Sequence, residues 1–320
     1  MDTLSEVLRA VRLTGAIFFD VHASEPWVAE TPEGKTVVAA MFPGSEHLIS
    51  YHVITHGSCW ACVEGEQPIR LSAGDVIVLP HGHTHVLCST PGLRRRPDMS
   101  MYRYPADGRL PVSISVGGSQ GDDVRFVCGF LGCDSRPYNP LLNALPRVIR
   151  VSDPEGGVLG TYVQFALAES KAPRLGGQGV LGRLSELMFI DVVRRYLESL
   201  PADRTDWLAG LRDPFVGRAL SALHRNPARA WTIESLARHV GLSRSALAER
   251  FSQFVGQPPM QYLTSWRIQL AASQLRSGVD SVAVIANRVG YDSEAAFSRA
   301  FKKAVGTPPS QWRAKSLSAG

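Results

Sequence analysis

The stretch RSALAERFSQFVGQPPMQYL, residues 244–263, returns fifty residues later as EAAFSRAFKKAVGTPPSQWR, residues 294–313. Phe251, Val255, Gly256, Pro258, Pro259 and Gln261 recur at an offset of 50. Just ahead of them, Ala237, Val240 and Gly241 recur at an offset of 49 as Ala286, Val289 and Gly290. The one-residue slip falls in a turn, where an insertion is tolerated best.

Each copy divides into two short helices and a turn. In the first, Thr232 suits an N-cap, Glu234 favours the dipole of the opening turn, and Gly241 can adopt the left-handed stop. Ser243 caps the next helix, whose Leu247, Phe251 and Val255 face inward at i, i+4 and i+8. In the second copy Asp292 or Ser293 takes the cap, and Phe297 and Phe301 face inward. These are helix-turn-helix units, expected at about 232–255 and 281–305. Between them Pro259 opens and Gly278 closes a helix of about 19 residues, rising ~28 Å. One turn of DNA is ~34 Å, so such a helix can hold two recognition helices in successive major grooves.

Charge points the same way. Net charge is +5 overall, but residues 211–320 hold 15 Lys and Arg against 6 Asp and Glu, a net of +9, while residues 1–210 sum to −4. A basic C-terminal third fits a polyanionic partner. The 44% apolar and 20% charged composition is that of a globular protein, and no apolar run approaches a membrane span. With no signal-peptide pattern, the expected location is the cytoplasm. Five cysteines between Cys59 and Cys133 do not form a disulfide-framework pattern.

The first 130 residues read as short strands, among them GAIFFDV, LISYHVITHG, CWACVEG and DVIVLP, punctuated by Gly, Pro and Asp. Many short strands without long helices between them favour a barrel or sandwich. Residues 92–111 read as a surface loop whose Arg94–Arg96 triplet is solvated. After Pro146 the pattern becomes helical, with a wide apolar stripe at 180–200 fitting either the domain's own core or a subunit interface. A boundary is expected at about 201–210. The fold class is α+β multidomain: a β-barrel with a helical part from about 155 to 205, then an all-α double helix-turn-helix domain over 211–320.

GYDSEAAFSRAFKKAVGTPPSQWR closely resembles the C-terminal signature of AraC/XylS-type transcriptional regulators, and the resemblance extends over about residues 212–315. Residues 5–200 resemble, less sharply, the cupin-like sensor domain of one AraC branch, through GAIFFDVHASEPW, ISYHVITHGSCW, LSAGDVIVLPHGHTHVL and FVCGFLG. The resemblance implies a dimeric regulator that binds double-stranded DNA, works with RNA polymerase, and senses a small-molecule effector through residues 1–205. Activation or repression stays open. By the resemblance, base-reading positions fall on Ser245, Ala248 and Glu249, then on Ala295, Ala296 and Arg299. Glutamate can accept from cytosine, arginine can read guanine, and alanine can only touch a thymine methyl. Arg244, Arg267, Arg288, Lys302, Lys303 and Arg313 are phosphate candidates. Trp231, Trp266 and Trp312 flank helix ends and read as core.

Seven of nine histidines precede residue 86. GDVIVLPHGHTH matches the second cupin motif, ending on His85, but the first motif is incomplete: Glu46 and His47 are near, and Ser50 stands where a glutamate belongs. Zinc held by His52 and His85, with His47, His83 or Cys88, is the metal expectation; otherwise these five line an effector site. Cys59 and Cys62, three apart in a strand, point to opposite faces. Cys88, beside histidines, is the candidate for a thiol of lowered pKa. Three functions follow: an effector-responsive transcription factor, a redox- or metal-sensing regulator, or, against the incomplete motif, a cupin enzyme.

Overall fold

The computed structural model describes residues 2–318 apart from 104, 107–108, 119–122, 154–156, 172–173 and 279. The first residues of the expected helical part, 155–156, thus lie outside the described residues. In chain order, α1 (Thr3–Ala10) precedes β1 (Thr14–Ser24), β2 (Val28–Thr31), α2 (Gly34–Met41), β3 (His47–His56) and β4 (Ser58–Val63). Next come β5 (Ile69–Ser72), β6 (Asp75–Leu79), β7 (His85–Cys88), β8 (Val112–Gly117) and β9 (Val124–Cys133). Helix α3 (Pro140–Ala144), β10 (Ile149–Ser152), α4 (Val158–Lys171) and α5 (Gly177–Ser199) follow. The remainder is helical: α6 (Trp207–Arg212), α7 (Val216–Arg225), α8 (Ile233–Val240), α9 (Arg244–Val255), α10 (Pro259–Ser277), α11 (Val282–Arg288), α12 (Glu294–Val305) and α13 (Pro309–Ser318).

Packing divides the chain into two units, and the division differs from a single cut near residue 205. One unit holds residues 13–133 and 146–199; the other gathers Met1–Arg12, Asp134–Leu145 and Leu200–Gly320. Two segments from the N-terminal half therefore belong structurally to the helical unit.

The first unit is a barrel of two sheets, ordered β10-β6-β3-β9-β1-β8 and β2-β7-β4-β5. Strands β1 and β8 run parallel and the other pairs antiparallel. Alternation in β4 is strict: Cys59, Ala61 and Val63 are buried, while Ser58, Trp60 and Cys62 are half-buried on the other face. Phe18, Phe19, Trp27, Phe126 and Phe130 are at most 4% exposed and dominate the core. The stripe on α5 packs against its own unit: Leu181, Leu184, Met188, Phe189, Val192 and Val193 are buried, and the helix lies on β1. Tyr51 and Ser185 close the contact with a 2.7 Å hydroxyl–hydroxyl bond.

In the helical unit the local signals are realised almost residue by residue. Thr232 accepts from Ser235 N–H, Ser243 from Ala246 N–H, and Ser293, not Asp292, from Ala296 N–H. Leu247, Phe251, Phe297 and Phe301 are fully buried. Val255, expected in the same core row, is only half-buried, because α9 ends there at Gly256. The three tryptophans Trp231, Trp266 and Trp312 are core.

The turns of the two units share a left-handed glycine with different surroundings. Gly241 has φ +79° and open space where a Cβ would stand. Gly290 has φ +90°, and a Cβ there would come 2.6 Å from Ala228 Cα and 2.8 Å from its carbonyl oxygen. Backbone cannot yield as a side-chain tip can. Gly241→Ala is therefore expected to cost about 1–2 kcal/mol, the left-handed penalty alone. Gly290→Ala is expected to cost clearly more. Thermal melts of the two variants check this, and equal losses would contradict the close approach at Ala228.

Candidate nucleic-acid interface and barrel cavity

The second helix of each unit presents a polar outer face. On α9, Arg244, Ser245 and Glu249 are exposed and Ala248 is half-buried. On α12, Ala295, Arg299, Lys302 and Lys303 are exposed and Ala296 is half-buried. All nine thus sit on or beside the face opposite Leu247/Phe251 and Phe297/Phe301. Arg244 meets Glu234 of α8 at 3.1 Å, an exposed pair that tethers the start of α9 to α8. Arg250 anchors the other side of α9 through both carboxylate oxygens of Asp213, each 3.1 Å from its Nε. Burial alone would raise the Asp213 carboxyl; the Arg250 fork and the Val216 and Phe215 N–H groups overcome it and hold the group below its ordinary value.

Besides Arg244, three of the phosphate candidates have intramolecular tasks. Arg267 donates to Pro227 and Arg229 carbonyls at 2.7 and 2.9 Å, and burial lowers its pKa. Arg288 pairs with Asp280 at 2.6 Å, and Arg313 donates to the Asp280 carbonyl at 2.5 Å. Arg288 and Arg313 thus brace the entrance of the second helix-turn-helix at Asp280, while Arg267 holds the segment between α7 and α8. The sequence showed their charge but not the long-range acceptors.

Helix α10, 19 residues long, joins the two readers. Tyr262, Leu263 and Trp266 on its first half are buried, as are Ile268, Ala271, Ala272 and Leu275 further on. Gln269, fully buried, accepts from Tyr138 N–H at 3.0 Å and reaches the Ala10 carbonyl at 3.5 Å. Asp134 receives Arg276 at 2.7 Å and Arg12 through two bonds of 3.0 and 3.1 Å.

In the barrel, the five expected ligands do not converge. His52 and His85 meet, Nε2 to Nε2, at 2.5 Å. His47 Nε2 instead bonds the Pro80 carbonyl at 2.6 Å, and His83 packs beside His81. Cys88 pairs opposite Trp60, while His85 pairs opposite Val63, so the thiol and the imidazole lie on opposite faces of β7. Among the described residues no three His, Cys, Asp or Glu side chains are grouped to hold a metal ion, and the donor set does not fit zinc. The expectation of a lowered Cys88 pKa is also overturned: burial, then the Cys62 thiol, push it up to about 12.

His52 and His85 belong instead to a directional chain. His85 Nδ1 can only donate to the His83 carbonyl, 2.8 Å away, which makes its Nε2 an acceptor. His52 Nε2–H therefore donates to His85, and His52 Nδ1 accepts from the Cys128 thiol at 2.8 Å. All three groups are neutral, since burial lowers His52 well below its ordinary value, takes His85 to about 4, and raises Cys128. Of this chain, His52 and Cys128 line a cavity of about 310 Å³ that is otherwise walled by Phe19, Val21, Leu87, Tyr102, Phe126 and Phe130. Its exposed rim carries Arg95 and Arg96. Arg94 is not simply solvated: it clamps Glu30 with bonds of 2.6 and 3.0 Å. Cys128 and Tyr102 were not singled out from sequence, and Arg95 and Arg96 were read only as solvated, because it is long-range packing of the 92–111 segment against the strands that brings them to one cavity.

Comparison with known proteins accords with this architecture. Residues 2–198 match the family model described as Cupin, and residues 236–315 match one described as Helix-turn-helix domain. A Streptomyces lividans protein described as an AraC-like transcription regulator is 35% identical over 98% of both chains. The HTH-type transcriptional regulator AlkR of Acinetobacter baylyi is 29% identical over 99% of this chain and 100% of its own. Among solved structures, the DNA-binding domain of AdpA in complex with a target DNA aligns with 28% identity, covering 33% of this chain and 95% of that one, at a TM-score of 0.32. The chain belongs to the AraC-type transcriptional regulators with an N-terminal cupin domain: it is a DNA-binding regulator, not an enzyme.

The histidine chain gives stability a pH signature. His85 titrates near 6.5 unfolded and about 4 folded, so its contribution is complete above pH 6.5 and declines as pH falls toward 4. Hydrogen exchange at β3 and β9 should show opening free energy falling by about 1.4 kcal/mol per pH unit for each such histidine. His85→Gln should flatten that slope, and an unchanged slope would contradict the buried neutral pair.

Proposed function

We infer that this regulator reads a two-part operator with α9 and α12 and answers to a small molecule bound in the barrel. The observation that supports the DNA reading best is the repeated, capped helix-turn-helix on the two sides of one buried helix. In this reading Ser245, Ala248, Glu249, Ala295, Ala296 and Arg299 face base edges, while Arg244, Lys302 and Lys303 meet phosphates. The cavity walls suit an apolar body, the hydrogen-bonded neutral floor rejects a buried charge, and Arg95 and Arg96 favour an anionic group at the rim. Val158, Phe165, Val180 and Leu187, exposed on α4 and α5, support assembly as a homodimer. RNA polymerase is the expected partner in transcription and the cytoplasm the expected location.

The test sets Arg299 against Lys303. Arg299→Ala should cost about 1–3 kcal/mol on the preferred duplex and little on a duplex substituted at the base it reads. Lys303→Ala should weaken all duplexes alike and reduce the salt slope by about one. Binding is measured on duplexes selected from random sequence and on their single-base variants at several salt concentrations. Uniform loss for Arg299→Ala would make it a phosphate anchor and move base reading elsewhere on α12.

A further inference from the structure

Cys128 and His52 face each other across β9 and β3. The strand register pairs them directly, and the thiol donates to His52 Nδ1 at 2.8 Å. Behind them His85 Nε2 accepts the Nε2–H of His52 at 2.5 Å, and the His83 carbonyl orients His85 through Nδ1 at 2.8 Å. These bonds fix the His52 tautomer, with the Nδ1 lone pair turned to the thiol. A nucleophile, a base within hydrogen-bond reach and a third group that orients the base are the parts of an activated thiol.

The outer end of this chain opens on the barrel cavity. Cys128 and His52 both line it, beside Phe19, Phe126 and Phe130. Cys128 is 7% exposed and His52 is 1% exposed, so the sulfur is the more accessible of the two. Burial, with the Cys59 thiol and Asp20 adding to it, keeps Cys128 protonated at rest. Its proton leaves only as the sulfur attacks, and His52 is the base placed to take it.

We propose that Cys128 captures an electrophilic ligand covalently: an α,β-unsaturated ketone or aldehyde with an apolar body. The proposal rests on the reading that the cavity holds the effector. As Sγ bonds the β-carbon, the S–H bond breaks and its proton passes to His52 Nδ1. The π electrons of the C=C bond move toward the α-carbon and the carbonyl, and the His85 lone pair faces the positive charge that forms on His52. His52 then returns the proton to the α-carbon. One S–C and one C–H bond form, one S–H bond and one C=C π bond are lost, and no oxidant, reductant or leaving group takes part.

The experiment incubates the full chain with 9-oxodec-7-enoic acid, an enone on an apolar chain that ends in a carboxylate, and follows intact mass and peptide map. Its saturated counterpart, 9-oxodecanoic acid, is titrated by calorimetry. One adduct per chain, on Cys128, is expected, at a rate that saturates with enone and is slowed by the saturated acid. From about pH 6.5 to 8.5 that rate should stay flat, because the proton moves within the pair, whereas the reaction of free cysteine gains about tenfold per pH unit below its pKa. His52→Gln should slow capture about a hundredfold or more. If that variant misfolds, the wild-type pH profile decides. Binding of the saturated acid without a Cys128 adduct would overturn the covalent step and leave the effector reading standing. Absence of both would overturn the effector reading and the proposal with it. A Cys128 adduct that forms as fast in His52→Gln, or whose rate climbs with pH as free cysteine does, would overturn the role of the pair.

Discussion

Helix α10 is buried on one face along its length, and that burial sets the distance between the second helices of the two helix-turn-helix units. Tyr262 and Trp266 lock its first half against the first helix-turn-helix: Tyr262 touches Phe251 edge-on at 5.7 Å, and Trp266 stacks on His224 at 4.1 Å. Ile268, Ala272 and Leu275 join Phe297, Phe301 and Trp312 in the core of the second. A spacer packed on both sides cannot flex independently of the readers. Its sequence carries no interior Pro or Gly that would kink it.

Two polar anchors add direction to the apolar packing. Asp134 is 2% exposed and paired with Arg276, itself 6% exposed, and with Arg12. A buried charge pair adds little net stability over apolar packing, yet removing one partner is costly, about 3–5 kcal/mol. Such a pair specifies position more than it adds strength. It fixes residues 1–12 and 134–145 against the helix that spaces the readers. These segments are covalently continuous with β1 and β9, whose Phe19, Val21, Phe126, Cys128 and Phe130 line the barrel cavity.

What the sequence made legible was what local chemistry decides. Caps at Thr232 and Ser243, a second-unit cap narrowed to Asp292 or Ser293, stops at Gly241 and Gly278, and the inward rows of Leu247, Phe251, Phe297 and Phe301 depend on neighbours within a turn or two. The α10 length followed from Pro259 and Gly278 in the same way. Less legible were contacts set by register or by distant chain. Asp134 and Arg276 are 142 positions apart, and nothing local in either marks the other. Motif spacing points to His85 and strand parity to His52 as candidate ligands, and in the structure the His83 carbonyl makes His85 Nε2 an acceptor, so the two imidazoles bond to each other. Cys88 was placed with the histidines because it follows them closely, whereas strand parity puts it on the opposite face.

The central claim is that one chain reads two half-sites at a spacing fixed by α10. The most direct measurement is a footprint and affinity series for the full chain on a selected duplex, with base pairs inserted between the two protected segments. The account predicts two major-groove segments about one helical turn apart on one face. It also predicts that a five-base-pair insertion, which rotates one segment to the far side, removes its protection and most of the sequence-specific affinity. A single protected segment, or affinity indifferent to that insertion, would contradict it.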